Sequence, residues 1–262
     1  MKWTKRLLLL ALLGYVALCG LLYVVQEQLI FHPSPLPPSY DFGEGTERTL
    51  TTPDGVDLSL LGITHPGATG AILYLHGNRG NNRRGLYQTR ELTDTDYDLY
   101  LLDYRGYGKS GGEILSEDQL FADAQLVFDS LVATYGEGRI VVVGYSLGTG
   151  MASYLAAHNT PEHCVLVAPY ASVTAMKNLW FWAVPDFILK YPLENVVNVA
   201  RANCPVTVLH GQADDFIPFD MAQELKAAAP DRVELIGLPE TGHRGAILHR
   251  QFGQTMARLL QD

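Results

Sequence analysis

Arg139-Ile140-Val141-Val142-Val143-Gly144-Tyr145-Ser146-Leu147-Gly148-Thr149-Gly150-Met151-Ala152 decides how this chain folds. The first five residues form a short apolar, β-branched block that reads as a buried strand. The residues after Gly148 are small and compatible with a helix. A G-x-S-x-G between strand and helix is a nucleophile elbow, a sharp turn that lifts a serine hydroxyl above a sheet. The flanking glycines are sterically required, because a larger residue would collide with the neighbouring strand and helix.

Outward from the elbow the same grammar repeats. Ala71-Ile72-Leu73-Tyr74-Leu75-His76 and Tyr97-Asp98-Leu99-Tyr100-Leu101-Leu102 read as strands before it. Val165-Leu166-Val167-Ala168, Val206-Thr207-Val208-Leu209-His210 and Val233-Glu234-Leu235-Ile236 read as strands after it. A helix opens at Ser116, where Ser116-Glu117-Asp118-Gln119 fits a capping box, and its apolar stripe runs Leu120, Phe121, Ala124, Val127, Phe128, Leu131. A last helix ends near Leu260. Residues 47–63 alternate around Thr52-Pro53-Asp54-Gly55, a turn between two short strands. Uninterrupted hydrophobic strands alternating with helices predict an α/β fold, a mostly parallel sheet covered on both faces. No internal repeat or second core is visible, so a single domain over residues 46–262 is expected.

The first 25 residues stand apart. Lys2, Lys5 and Arg6 precede residues 7–25, which carry no charge. As a helix that run spans about 28 Å, close to the hydrocarbon thickness of a bilayer. The basic residues lie only on its N-terminal side, which puts the N-terminus in the cytoplasm and the domain across the membrane. The expected setting is a bacterial inner membrane with the domain in the periplasm. A cleaved signal peptide has the same layout but wants small residues before its cut, and Ala17-Leu18-Cys19 serves poorly. A lipoprotein signal would use Cys19, which Leu18 disfavours. Residues 26–45, rich in proline between Phe31 and Tyr40, read as a linker.

Without Lys2, Lys5 and Arg6, 16 of the 19 Lys+Arg face all 28 Asp+Glu. Such an acidic surface repels nucleic acid, and no basic stripe interrupts it. The three cysteines form no metal pattern. Cys164 and Cys204 each precede a predicted parallel strand, so they are either a disulfide across strand starts or two small buried side chains.

A serine hydroxyl needs a positioned base, itself oriented by a third group. His210-Gly211-Gln212-Ala213-Asp214-Asp215-Phe216-Ile217-Pro218 leaves a strand and turns, setting a carboxylate at the carboxyl edge of the sheet. Thr241-Gly242-His243 sits in the loop after the last strand, where a base is required. The other histidines fit less well: His249 belongs to the final helix, His76 and His210 end strands, and His65 lies in an early turn. A tetrahedral intermediate also needs two backbone donors. Leu147 supplies one, and Asn78, in His76-Gly77-Asn78-Arg79-Gly80-Asn81, supplies the other.

Together with Asp103-Tyr104-Arg105-Gly106-Tyr107-Gly108-Lys109-Ser110, these motifs resemble an α/β-hydrolase-fold serine hydrolase across residues 29–260. The resemblance is greatest to the short-cap subgroup with an N-terminal membrane segment, which includes the α/β-hydrolase-domain protein depalmitoylases. The resemblance implies Asp214 as the acid partner, with Asp215 the adjacent fallback, and a structural turn at Asp103 in which carboxylate or carbonyl groups hold Arg105. It implies no cofactor and no metal.

Residues 170–203 form the expected short cap. Their aromatics, Tyr170, Trp180 and Trp182 foremost, read either as core or as the wall of an acyl pocket. The expected activity is hydrolysis of a carboxylic ester or thioester through an acyl-Ser146 intermediate, on a small-molecule, lipid-like or acylated substrate. A serine aminopeptidase or amidase would use the same three residues but needs an acidic or amide-reading pocket, which the sequence does not locate. A catalytically silent binding protein is the third reading.

Overall fold

The hydrophobic blocks of the sequence pair in the computed structural model, which describes residues 2–261. Eight strands form one sheet: β1 Thr46–Thr51, β2 Asp57–Ile63, β3 Gly70–Leu75, β4 Tyr97–Leu102, β5 Ile140–Tyr145, β6 His163–Val167, β7 Val206–Gly211 and β8 Val233–Leu238. Their spatial order is β1-β2-β4-β3-β5-β6-β7-β8. β2 pairs antiparallel with both β1 and β4, and the remaining pairings are parallel.

Alternate residues of each central strand feed two separate cores. Leu73, Val142, Leu166 and Val208 pack on one face. Ile72, Tyr74, Val141, Val143 and Val165 pack on the other. Every residue of β3, β4, β5 and β7 is buried, the reason these strands are nearly continuous hydrophobic runs. The first core is covered by helices α3 Glu117–Tyr135 and α4 Gly148–His158 together with α7 Phe219–Ala228. The second is covered in part by α8 Arg250–Leu259. Ser116 caps α3 by accepting from the Gln119 N–H at 3.2 Å. The Gln119 side chain accepts instead from Leu115 N–H, one residue earlier than a capping box requires.

The hairpin turn is fixed from outside. Arg105 clasps Asp54 through two bonds of 2.6 and 2.8 Å, and Asp123 through two of 2.7 and 2.9 Å. The guanidinium thus ties the β1–β2 turn to α3. Asp103, fully buried, accepts from Asn82 N–H at 2.7 Å. Gly108 lies beside it at φ +50°, where a Cβ would strike the Asp103 carboxylate.

Burial pushes the Asp103 carboxyl up to about 7. An unfolded aspartate titrates near 4, so the contribution of Asp103 is most favourable below that pH and is lost as pH rises through the folded value. Asp103→Asn keeps an oxygen for Asn82 N–H and cannot ionise. Its stability relative to the natural chain is therefore expected to rise between pH 4 and pH 7, by up to about 4 kcal/mol. Thermal melts of both proteins at pH 4, 6 and 8 check this, and parallel curves refute it.

One sequence expectation shifts, and one open alternative is decided. The first helix, α1, spans Lys2–Ile30, so it continues five residues past the expected boundary into the segment expected to be linker. Its only buried residue is Gln26. There Gln26 Nε2 donates to Ile188 O (3.1 Å), Lys190 N–H donates to Gln26 Oε1 (2.7 Å), and Lys190 pairs with Glu27 at 2.8 Å. The final segment of α1 is thus part of the domain, because its polar side chains satisfy backbone groups of the cap. Cys164 and Cys204 are free buried thiols, and burial pushes Cys204 up to about 12. The pair is two small core side chains rather than a disulfide.

Candidate active site

In an open parallel sheet, the crevice for a ligand forms where the strand order reverses direction. Here β4 lies on one side of β3 and β5 on the other, so the loops after β3 and β5 diverge and leave that crevice. The first loop carries Asn78, and the second carries Ser146.

Ser146 sits at φ +51°, a strained backbone for a residue with a side chain. Two close approaches hold it there. A Cβ on Gly144 would lie 2.7 Å from Ala152 Cβ and Gly148 O, and one on Gly148 would run into the Leu75 carbonyl of β3. Ser146 N–H donates to Val167 O at 2.9 Å, and Thr149 Oγ1–H donates to Ser146 O at 2.6 Å. The strained turn is thus bonded on both sides and packed from below.

His243 Nε2 stands 3.0 Å from Ser146 Oγ. Its Nδ1 stands 2.8 Å from Asp214 Oδ2. A carboxylate can only accept, so Nδ1 carries the proton and the Nε2 lone pair faces the serine hydroxyl. Asp214 Oδ1 accepts from the N–H groups of Phe216 (2.9 Å) and Ile217 (2.8 Å), which fixes the carboxylate plane. Burial alone would raise this carboxyl. Hydrogen bonds from His210, His243 and Ile217 outweigh it and hold the group well below the usual carboxylate range. His210 contributes from Nε2, which donates to Ile217 O at 2.9 Å and lies 3.4 Å from Asp214 Oδ2. The imidazole of His243 packs against the rings of Tyr145 and Phe216, with centroids 5.7 and 5.2 Å away.

His76 aims the other half of the site. It is buried and neutral, its pKa pushed down to about 4 by burial. Its Nδ1–H donates to Gly77 O at 2.7 Å. Because a trans peptide directs C=O and N–H oppositely, holding that carbonyl leaves Asn78 N–H pointing away from His76. Asn78 O is held in turn by His32 N–H (3.2 Å) and Tyr107 O–H (3.0 Å). Among the described residues, neither the Asn78 nor the Leu147 N–H is given to an internal acceptor. Both residues line the same cavity as Ser146. Two unspent donors beside a serine are what a developing oxyanion requires.

That cavity holds about 240 Å³. Tyr170 and Trp180 border it, and Tyr170 O–H also donates to Leu147 O at 3.1 Å. Trp182 does not border it: the side chain stands outside, 80% exposed. The cap is small, with α5 Val173–Phe181, a 3-10 turn at Asp186–Ile188, and α6 Asn195–Arg201. One wall was not foreseen. Leu22, Gln26, Leu29 and Ile30 of α1 also line the cavity. Among the described residues no Asp or Glu lines it. No cluster of three or more His, Cys, Asp or Glu, as a metal ion would need, occurs among them either.

The family described as serine aminopeptidase, S33, matches residues 66–198. The chain is 28% identical over 253 residues to the uncharacterized protein Rv2307c of Mycobacterium tuberculosis, covering 93% of this chain and 90% of that protein. It is 32% identical over 185 residues to the lysophosphatidylserine lipase ABHD12 of Xenopus tropicalis, covering 62% of this chain and 47% of that relative. The match to ABHD12 thus spans only about half the length of that protein. Among solved structures, the Pyrococcus furiosus esterase Pf2001 superposes with a TM-score of 0.69 at 19% identity, over 88% of this chain and 97% of the esterase. At that identity the likeness speaks for the α/β-hydrolase fold.

Proposed function

Because this chain belongs to the serine aminopeptidase S33 family, and is a hydrolase of the serine type, we propose that it cleaves carboxylic esters or thioesters of apolar acyl chains through an acyl-Ser146 intermediate. In this reading His243 Nε2 takes the proton as Ser146 Oγ attacks the carbonyl carbon. The oxyanion is held by the N–H groups of Asn78 and Leu147. As the tetrahedral species collapses, His243 returns its proton to the leaving alcohol or thiol. Water, deprotonated by the same imidazole, then attacks the acyl-enzyme and frees Ser146. Asp214 keeps the Nδ1–H tautomer and stabilises the imidazolium that forms twice per cycle.

The observation that carries the ester reading, against the peptidase named in the family description, is the lining of the cavity. An aminopeptidase must hold the ammonium group of its substrate, and burying that charge unpaired is expensive. The described lining offers no carboxylate for it. Aliphatic and aromatic side chains around Ser146 instead suit an acyl chain. Lysophospholipids, whose serine head the ABHD12 relatives are named for, fall in this class. α1 is proposed to be an uncleaved anchor, its N-terminus cytoplasmic and the domain beyond the membrane. Its uninterrupted run through Ile30 into the cavity wall supports this.

A fluorescent fluorophosphonate, p-nitrophenyl esters of increasing chain length and aminoacyl p-nitroanilides test the proposal together. Labelling with ester turnover that improves with chain length is the expected result. Turnover of anilides over esters would give the site to the peptidase reading. Asp214→Asn leaves the packing in place but permits the wrong tautomer of His243, so kcat is expected to fall about ten-thousand-fold. A drop below tenfold, read on the same ester, would remove Asp214 from its role.

A further inference from the structure

The cap and the first helix meet at an unexpected height. Tyr15 O–H donates to Ala183 O at 2.7 Å, while Gln26 holds Ile188 O. Tyr15 and Gln26 are eleven residues apart, about 16 Å along the helix axis. The cap therefore climbs alongside the uncharged run of residues 7–25, the part with the composition of a membrane span. Its outer face suits that position. Trp180, Trp182 and Phe187 are 65, 80 and 87% exposed. Leu179 and Phe181 are exposed beside them. Residues 173–189 contain two charges, Lys177 and Asp186, and these pair with each other at 2.5 Å. Lys177 Nζ also satisfies Val184 O. Lys177 is nearly buried and Asp186 is 62% exposed. A surface this apolar, whose two charges pair with each other, is suited to a lipid boundary rather than to open water.

We propose that α5 and the Asp186–Ile188 turn lie within the bilayer beside α1, and that the acyl chain reaches Ser146 sideways from the hydrocarbon, between α1 and the cap. This rests on the anchor and hydrolase readings given above. The partner is the lipid bilayer itself. The substrate class narrows to amphiphilic esters whose chain stays among lipid tails while the ester bond comes to Ser146. Met176, Trp180 and Val184 of the cap and Leu22 and Leu29 of α1 line the same cavity, so the chain would leave lipid and enter protein without exposing its methylenes to water.

The test uses the full chain reconstituted in dioleoylphosphatidylcholine vesicles. In the Trp3→Phe variant, Trp180 and Trp182 are the only tryptophans. Their emission is expected to fall by about half or more when the lipid tails carry bromine, as for indoles held at bilayer depth. Unchanged emission in protein that resists carbonate extraction would overturn the proposal while leaving the anchor intact. Release by carbonate would overturn both. A second readout uses 4-methylumbelliferyl oleate in the vesicles and the soluble butyrate ester. Trp182→Asp combined with Phe187→Asp, both outside the cavity, should lower oleate turnover by about tenfold and keep butyrate turnover within about twofold, because charge is expelled from hydrocarbon. Equal oleate turnover in both proteins would overturn lateral entry. Failure of the natural chain on both esters would refute the hydrolase reading and lateral delivery with it, and the tryptophan quenching would still decide the position of the cap.

Discussion

Ser146→Ala is expected to lose ester hydrolysis by about a million-fold and to take no label from a fluorophosphonate. The size follows from how the proposed mechanism couples the site. In that mechanism His243 and Asp214 prepare one hydroxyl, and without it their arrangement has nothing to activate. What remains is the two N–H donors and the apolar cavity, which can polarise and hold an ester without attacking it. Stability should change by less than about 1 kcal/mol, since among the described residues the removed oxygen bonds only to His243. Residual turnover within a hundred-fold of the natural chain would mean that water attacks directly, with His243 as base. The covalent intermediate would then be abandoned.

Gly148→Ala should damage the molecule through its backbone. A Cβ there runs into Leu75 O and crowds His76 O at 2.9 Å, both backbone atoms of the β3 end. Neither can swing aside like a side-chain tip, so α4 must lift from the sheet or β3 must yield. The expected loss is about 3 kcal/mol or more. The same displacement separates Leu147, which opens α4, from Asn78, which follows β3. Activity per folded molecule should then fall by about a hundred-fold, as a misplacement near 1 Å can cause. Urea melts measure the first effect, and turnover per fluorophosphonate-labelled site measures the second. Gly138→Ala is the control, because nothing lies within 4 Å of its new Cβ. Equal behaviour of the two variants would show that the elbow tolerates a methyl group.

The sheet was legible wherever burial on both faces wrote a continuous apolar run, and β4 falls on the residues 97–102 read from it. The elbow, Asp214 and His243 were legible because each sits at a strand end in a fixed order, and the structure brings them within hydrogen-bond reach. α2, Asn82–Thr89, was not legible: Asn-Arg-Arg-Gly-Leu-Tyr-Gln-Thr has no apolar stripe. It forms because Asn81 caps it and Gly85 lets it approach Leu101 and Tyr74. Trp182 carried a warning of its own. Consecutive helical residues point about 100° apart, so Trp180 and Trp182 could not both face one cavity. The contacts of Tyr145 and Phe216 with the His243 ring lay hidden in positions whose motifs accept many residues. The wall made by α1 left no trace, since an apolar helix that meets lipid and one that meets a cavity have the same composition.

On the proposed reading, that wall makes attachment and selectivity inseparable. Leu22, Gln26, Leu29 and Ile30 belong to the helix proposed to hold the protein in place and to the surface that an acyl chain would touch. A tether that made no contact with the cavity could be exchanged with the chemistry intact. Here a replacement leader would bring a different lining with it, and divergence in the membrane segment among descendants of this gene would register as divergence in which chains are hydrolysed.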